Sequence, residues 1–404
     1  RLLTRLVLGT LAWRGRLDYE IAALSSRKLE SLAPAVLVIL RLGLFQLRFL
    51  TRVPKHAAVD TSVTIARENR ATRAAAGFVN AILRRAALKP LALPDRSADE
   101  AGYLAVAYSH PRWLVERFIE WFGIDGAERL MAANNEPAPN AIRLNLKRGG
   151  REEIVERMRA DGFEFADGGR LSETALLKGA PRLDAPTYRC GFFHLQSEAS
   201  QLVARMLAPA MGSIVVDCAA APGGKTTHLA ELVGDRVTVV ALDRNFAGLK
   251  RARAVASRLG HRNIAFVRAD LEAAIPIRPA SRDYVLLDAP CTGLGTLREH
   301  PEIRWRLRPA ALERMAELQS RMLENAAAIV RPGGAVVYAV CSLAPQEGKH
   351  VIAGFLLRHP EFRLDAAPPI RGLIEAAFDP EGAMLTRPDR DGLDGFFAAR
   401  LLRR

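Results

Sequence analysis

Five short apolar runs in the second half of the chain limit its fold more than any other feature: "SIVVD", "VTVVALD", "IAFVRAD", "DYVLLDAP" and "AVVYAVCS". Each is rich in β-branched residues and too short for a stable helix. Between them lie stretches of helical spacing such as "NFAGLKRARAVASRLG" and "AALERMAELQSRMLENAAAIV". A strand that is apolar at successive positions has both faces buried, and strands that alternate with helices join in parallel. The pattern therefore predicts an α/β fold with a doubly wound sheet over residues 201–404. Ligands of such sheets bind beyond the carboxyl ends of the strands. Every run closes there on a polar or reactive residue: Asp217, Asp243, Asp270, Asp288 and Cys341.

The first half has a different rhythm. Over residues 1–90, apolar residues recur at helical spacing ("RLLTRLVLGTLAW", "APAVLVILRLGLFQLRFL", "AGFVNAILRRA"), which predicts a small all-α bundle. A Pro-, Asp- and Ser-rich stretch over 91–102 is expected to be a linker. Residues 103–200 mix the helical "RWLVERFIEWFG" and "REEIVERMRADGF" with the strand-like "AIRLNL", a small α/β module. The whole chain carries a formal charge of +14, and residues 1–90 hold 16 Lys and Arg against 5 Asp and Glu. Such an excess fits a polyanionic partner, whether RNA, DNA or an anionic membrane, or a merely solvated basic domain.

The four cysteines include no CxxC pair, so neither a metal site nor a disulfide framework is indicated, and a reducing cytoplasm is the expected setting. No apolar run reaches the roughly 18–20 residues of a membrane span, because Arg41 interrupts the longest. The chain begins at Arg1 rather than Met, and a few N-terminal residues are expected to be missing.

The first apolar run feeds "DCAAAPGGKTTHLAELV". Ala219, Ala220, Ala221, Pro222, Gly223 and Gly224 lack bulk, and the helix beyond offers free N–H groups, so a ligand can approach the backbone closely. The GKT triplet suggests a phosphate loop, yet Ala219 stands where that pattern needs glycine, and GxGxxG is absent. Asp243, about 20 residues on, is placed to accept from ribose hydroxyls, and Asp270 from an adenine amino group. The set fits an adenosine-containing ligand without a polyphosphate. A single strand-end Asp is as often a turn former or helix cap. Cys291 and Cys341 stand beside turn residues at the same edge, where a thiol is reactive, while Cys190 and Cys218 are read as structural.

Four segments, "DCAAAPGGKT", "DAPCTGLGT", "AVCSLAPQEG" and "DGLDGFFAARL", resemble the methyl-donor and catalytic motifs of RNA cytosine-5 methyltransferases, the Sun/Fmu (NOL1/NOP2/Sun) family. "FFHLQSEAS", "YSHPRWLVERF" and "NNEPAPNAIRLN" resemble the segments that precede that catalytic domain. "VPKHAAVDTSVTIAREN" and "GFVNAILRR" resemble a NusB-like helical domain, found in the bacterial member that modifies small-subunit rRNA. Two departures stand out: Ala219 occupies the usual cysteine position, with the thiol moved to Cys218, and Val340 precedes Cys341 where threonine is common.

The resemblance implies a Rossmann-like methyltransferase sheet behind a NusB-like bundle and a small RNA-binding subdomain. It implies S-adenosylmethionine as methyl donor with no metal, RNA (16S rRNA foremost) as partner, no membrane, and a monomer. Cys341 is then the nucleophile, Cys291 assists release, Asp288 serves the base edge, and Lys225 binds the donor or orients Asp288. The donor lies over Ala219 to Lys225, with Asp243, Asp270 and Asp288 around it. Two other readings stay open: a DNA cytosine methyltransferase with Cys291 as its nucleophile, and an RNA-binding assembly factor with a decayed pocket.

Overall fold

In the computed structural model, which describes residues 2–235, 237–273 and 275–404, the chain divides into two compact units. The first comprises Arg1–Pro137 and Leu297–Pro309. Its helices are α1 (Leu2–Ala12), α2 (Arg14–Leu24), α3 (Pro34–Phe49), α4 (Lys55–Glu68), α5 (Ala76–Leu88), α6 (Glu100–Ala107) and α7 (Arg112–Ala133). Leu17, Ile21, Leu40, Leu44, Val63, Val79 and Leu83 form the core of α2 to α5, as the helical spacing predicts. Glu20 is buried among them and stays compensated by Arg48 at 2.8 Å and Arg16 at 3.3 Å.

Two details differ from the sequence reading. Helix α6 starts at Glu100, inside the stretch expected to be a linker, because Asp99 caps it by accepting from the Gly102 N–H. Helix α7, expected within the α/β module, falls with α6 in the helical unit. Helix α7 is broken at Gly123, whose φ of 69° is left-handed.

The second unit, Ala138–Thr296 with Ala310–Arg404, holds two sheets. A small antiparallel sheet of order β2-β3-β1-β4 is built from β1 (Asn140–Leu144), β2 (Phe165–Ala166), β3 (Thr174–Leu177) and β4 (Phe193–Leu195). Helices α8 (Arg151–Ala160) and the short α9 (Pro186–Arg189) accompany it, and α10 (Glu198–Leu207) leads onward.

The large sheet alternates β5 (Val215–Asp217), α11 (Gly224–Val233), β6 (Val239–Asp243), α12 (Phe246–Leu259), β7 (Ile264–Arg268) and β8 (Arg282–Asp288). After α13 (Ile303–Arg306), which belongs to the first unit, come α14 (Ala311–Ala328), β9 (Val330–Val340), α15 (Lys349–Arg358) and β10 (Phe362–Leu364). The chain closes with β11 (Met384–Leu385), α16 (Pro388–Asp391) and β12 (Phe397–Arg403). The sheet order is β10-β12-β9-β8-β5-β6-β7, with β11 paired to β12.

Strands β5 to β9 are parallel, as predicted. The sheet is nevertheless mixed, because β12 enters between β9 and β10 antiparallel to both. Alternate side chains explain the double winding. Val285, Leu287, Val336, Tyr338 and Val340 face α14 and α15, while Leu286, Val337 and Ala339 face α10 and α11. Each fully buried Leu or Val contributes about 1.5–3 kcal/mol, so the sheet is a rigid base for the loops at its carboxyl edge.

Candidate active site

Beyond the ends of β5, β6, β7 and β8 lies a cavity of about 200 Å³. Its walls include Ala219, Ala221, Asp243, Asp270, Glu272 and Asp288. Cys218, read from sequence as purely structural, also lines it, although burial pushes its thiol well above the ordinary range. Ala220, Pro222, Gly223, Gly224 and Lys225 do not line it. Ala220 is buried and donates its N–H to Leu242 O at 2.9 Å. Gly223, at φ 106°, faces α12 so closely that a Cβ would collide with Ala252. That glycine therefore serves the packing of loop against helix, not only room for a ligand.

The carboxylates are held in different ways. Asp243 accepts from the Ala221 N–H at 2.9 Å and the Asn245 N–H at 2.7 Å, which ties the small-residue loop to the end of β6. Asp270 caps its own turn through the Glu272 N–H. Each is a turn former and a cavity wall at once. Asp288 pairs with Lys225 at 2.6 Å, the orienting contact that the sequence allowed. Lys225 Nζ in turn sits 5.0 Å from the ring centroid of Phe396, in the closing "DGLDGFF" segment. Asp217 lies behind the cavity, fully buried, and accepts from Thr226 Oγ1 at 2.6 Å; burial pushes its carboxyl up to about 7.

The second cluster sits at the ends of β8 and β9. Cys291 Sγ and Cys341 Sγ are 3.0 Å apart, close enough for one thiol to donate to the other, and both side chains are half-buried. The neighbouring sulfur, and then burial, push the Cys291 thiol well above the ordinary range. Neither sulfur belongs to the walls of that cavity. Parallel pairing of β8 with β9 brings the two cysteines together across 50 residues of sequence. Gly295 and Gly395 then pack backbone to backbone, Gly395 N–H to Gly295 O at 2.8 Å, with no space for a Cβ on either.

Sequence reasoning missed two groups. Glu347, wholly buried, accepts from the Thr292 N–H at 2.8 Å, from Ser342 Oγ at 2.5 Å, from Gln319 Nε2 at 2.9 Å and from Thr292 Oγ1. Thr292 and Ser342 are the residues directly after the two cysteines, so one carboxylate ties both thiol-bearing loops together. The available signal was a lone Glu six residues beyond Cys341 in "CSLAPQEG".

Arg143 of β1 is the second group. It is buried and donates to Gly224 O at 2.7 Å, Thr227 Oγ1 at 2.8 Å and both oxygens of Glu231. Burial opposes charge on Glu231, yet Arg143 and His261 hold its carboxyl below the usual range. The small sheet thus fixes the first turn of α11, from which Lys225 reaches Asp288. A charged residue in the strand "AIRLNL" was the hint.

With this geometry in view, residues 204–402 match the family described as 16S rRNA methyltransferase RsmB/F. Residues 1–88 match the NusB family, and 110–183 the ferredoxin-like domain of RsmF/B-like methyltransferases. A Bacillus subtilis (strain 168) protein named probable ribosomal RNA small subunit methyltransferase B is 34% identical over 401 residues, spanning 98% of this chain and 89% of the relative. The chain belongs to the RsmB/F family.

A Synechocystis relative of the same name is 32% identical across 99% of this chain and 90% of its own. The crystal structure of PH0851 superimposes with a TM-score of 0.85 at 30% identity, covering 100% of this chain and 90% of that one. The Rossmann-like sheet and NusB-like helices expected from sequence are those of an RsmB/F methyltransferase, an S-adenosylmethionine-dependent class, and the small α/β module expected between them matches that family's ferredoxin-like domain.

The cavity fits that donor chemically. Four carboxylates, Asp243, Asp270, Glu272 and Asp288, suit a ligand with a sulfonium and an ammonium group and supply acceptors for hydroxyl and amino donors. Among the described residues no cluster of His, Cys, Asp or Glu could hold a metal ion, and no helix is long and apolar enough to cross a membrane.

Proposed function

We propose that this RsmB/F methyltransferase forms 5-methylcytosine in small-subunit (16S) rRNA through a transient bond between Cys341 and carbon 6 of the base. The pair of sulfurs 3.0 Å apart at adjacent strand ends carries this reading. Addition of the Cys341 thiolate to carbon 6 breaks the aromaticity of the ring and makes carbon 5 nucleophilic. S-adenosylmethionine, held by Ala219, Ala221, Asp243, Asp270 and Asp288, supplies the electrophilic methyl group. The Lys225–Asp288 pair lies against the base edge, and the proton it shares moves to N3 as negative charge develops there.

Cys291 follows from its electrostatics. While Cys341 is free, the adjacent sulfur keeps the Cys291 thiol protonated and able to donate to it. Once Cys341 is bonded to carbon, the largest of the influences that hold the Cys291 proton is removed while burial and Glu347 remain, and we take Cys291 to give up its proton to water at this stage. Its thiolate then takes the carbon 5 proton, the carbon 5–carbon 6 double bond re-forms, Cys341 leaves as a thiolate, and the N3 proton returns to the Lys225–Asp288 pair. The target base must be unpaired or flipped, because carbon 6 is out of reach within a stack.

The domain roles follow the same reading: residues 1–90 a NusB-like RNA-binding domain, 91–102 a connector, 103–200 an RNA-binding subdomain and 201–404 the catalytic domain, acting in the cytoplasm. The test is to incubate the protein with a 16S rRNA transcript and labelled donor, then map the product by bisulfite sequencing. A single protected cytosine is expected; label on another base or another atom contradicts the proposal.

A further inference from the structure

Between Asp243 and Asp270 the chain carries seven Lys and Arg and no Asp or Glu. The structure shows which of these charges are already used. Arg258 is tied to Tyr188 O at 2.7 Å and Phe193 O at 3.0 Å, and Arg244 pairs with Glu272 at 3.2 Å. Lys250, Arg251, Arg253, Arg262 and Arg268 are exposed and have no acidic partner among the described residues. They belong to α12, the turn after it and β7, the edge strand of the large sheet.

The same face carries Phe246, 56% exposed and the one exposed aromatic side chain among the described residues. Phe246, Lys250 and Arg253 recur at i, i+4 and i+7 and so form one ridge, while Leu249, Ala252, Ala256 and Leu259 bury the opposite face. Lys250 Nζ lies 4.8 Å from the Phe246 ring centroid, and Arg253 covers Phe266 of β7 at 5.6 Å. The ridge starts three residues after Asp243, which lines the cavity.

Cations on an edge strand also discourage pairing with other sheets, and that accounts for some of the charge. It does not account for an exposed phenyl ring. A positive track with one open aromatic face is the combination that binds single-stranded nucleic acid, the cations following phosphates and the ring stacking on a base. We propose that the outer face of α12 and the end of β7 bind the unpaired RNA strand flanking the target nucleotide, with Phe246 as the stacking platform. The proposal rests on the RNA reading of the active site and adds a second RNA-binding surface, separate from the basic N-terminal helices.

The test uses the full chain and a single-stranded RNA oligonucleotide that the wild type methylates. Binding is measured across a salt series for Phe246→Ala, Phe246→Trp and the double variant Lys250→Glu/Arg253→Glu, and donor affinity is measured separately by calorimetry. Phe246→Ala should weaken binding roughly 5- to 100-fold with an unchanged salt slope, and Phe246→Trp should restore it. The double variant should weaken binding at least about tenfold and lower the log–log salt slope by about 0.7 for each phosphate that is no longer neutralised. Donor affinity should not move. Wild-type affinity and slope in both the alanine and the double variants would overturn the proposal, as would a weakening explained by altered donor binding or oligomeric state. Binding that responds as expected, with a methylated product that proves to be other than 5-methylcytosine, would instead overturn the catalytic reading alone.

Discussion

The carboxyl edge of the large sheet has two halves that are built differently. At the ends of β5, β6 and β7 the functional groups are carboxylates on tight turns, each fixed by one or two backbone N–H groups, around an open cavity. At the ends of β8 and β9 they are two thiols whose loops are tied by a wholly buried carboxylate with four donors. The contrast follows from the chemistry proposed for each half. A donor pocket needs acceptors at set places and tolerates local adjustment. A nucleophile and its partner must hold sulfur next to sulfur while a bond forms and breaks, so their loops are cross-braced through the core.

That difference can be broken from either side. The largest effect is expected on the thiol side: Cys341→Ser should lower turnover by on the order of 10⁴-fold or more in a methyl-transfer assay, with donor affinity unchanged. Glu347→Gln comes next. Replacing the carboxylate with an amide sets a donor against donors, and turnover should fall on the order of 100-fold as the loops shift, again with little change in donor affinity. The opposite signature belongs to the cavity side. Asp243→Ala should weaken donor binding roughly 10- to 100-fold by calorimetry while turnover at saturating donor stays near wild type.

The last effect concerns stability and leaves turnover aside. Asp217 has a folded-state value of about 7 against 3.8 for the free group, so the folded form favours its protonated state. The stability it contributes is complete below pH 3.8 and is lost as pH rises through about 7. At about 1.4 kcal/mol per unit the loss is at most roughly 4 kcal/mol. Asp217→Asn should therefore gain on the wild type between pH 4 and pH 7 in thermal melts. Parallel melting curves across that range would show that Asp217 is ionised in the fold.

The two halves were also unequally legible in the sequence. Strands β5 to β9 and helices α11, α12 and α14 could be read because their apolar periods are strong and local. The strand-end position of Asp243, Asp288 and Cys341 followed from those same periods. What could not be read depends on pairing distant in sequence. The antiparallel entry of β12 beside β9 leaves no local trace, since nothing in "FFAARLLRR" says which strand it pairs with or in which direction. Glu347 looked like an ordinary loop acid until the fold placed it under Thr292, 55 residues away. Arg143 reaches Glu231 across 88 residues, and only the packing of the small sheet against α11 shows it. Gly223 was read for ligand approach, yet it is required by the close packing of α12, and the need for Gly295 shows only in its contact with Gly395.

The central claim is that Cys341, and not Cys291, makes the bond to the base. Cys291→Ala should block release, so incubation with substrate RNA and donor should leave a protein–RNA adduct that survives denaturing gels. Digestion and mass spectrometry should place a methylated nucleotide on the peptide containing Cys341, and Cys291→Ala/Cys341→Ser should yield no adduct. A nucleotide found on Cys291 in the wild type, or an adduct that persists in the double variant, would contradict the account.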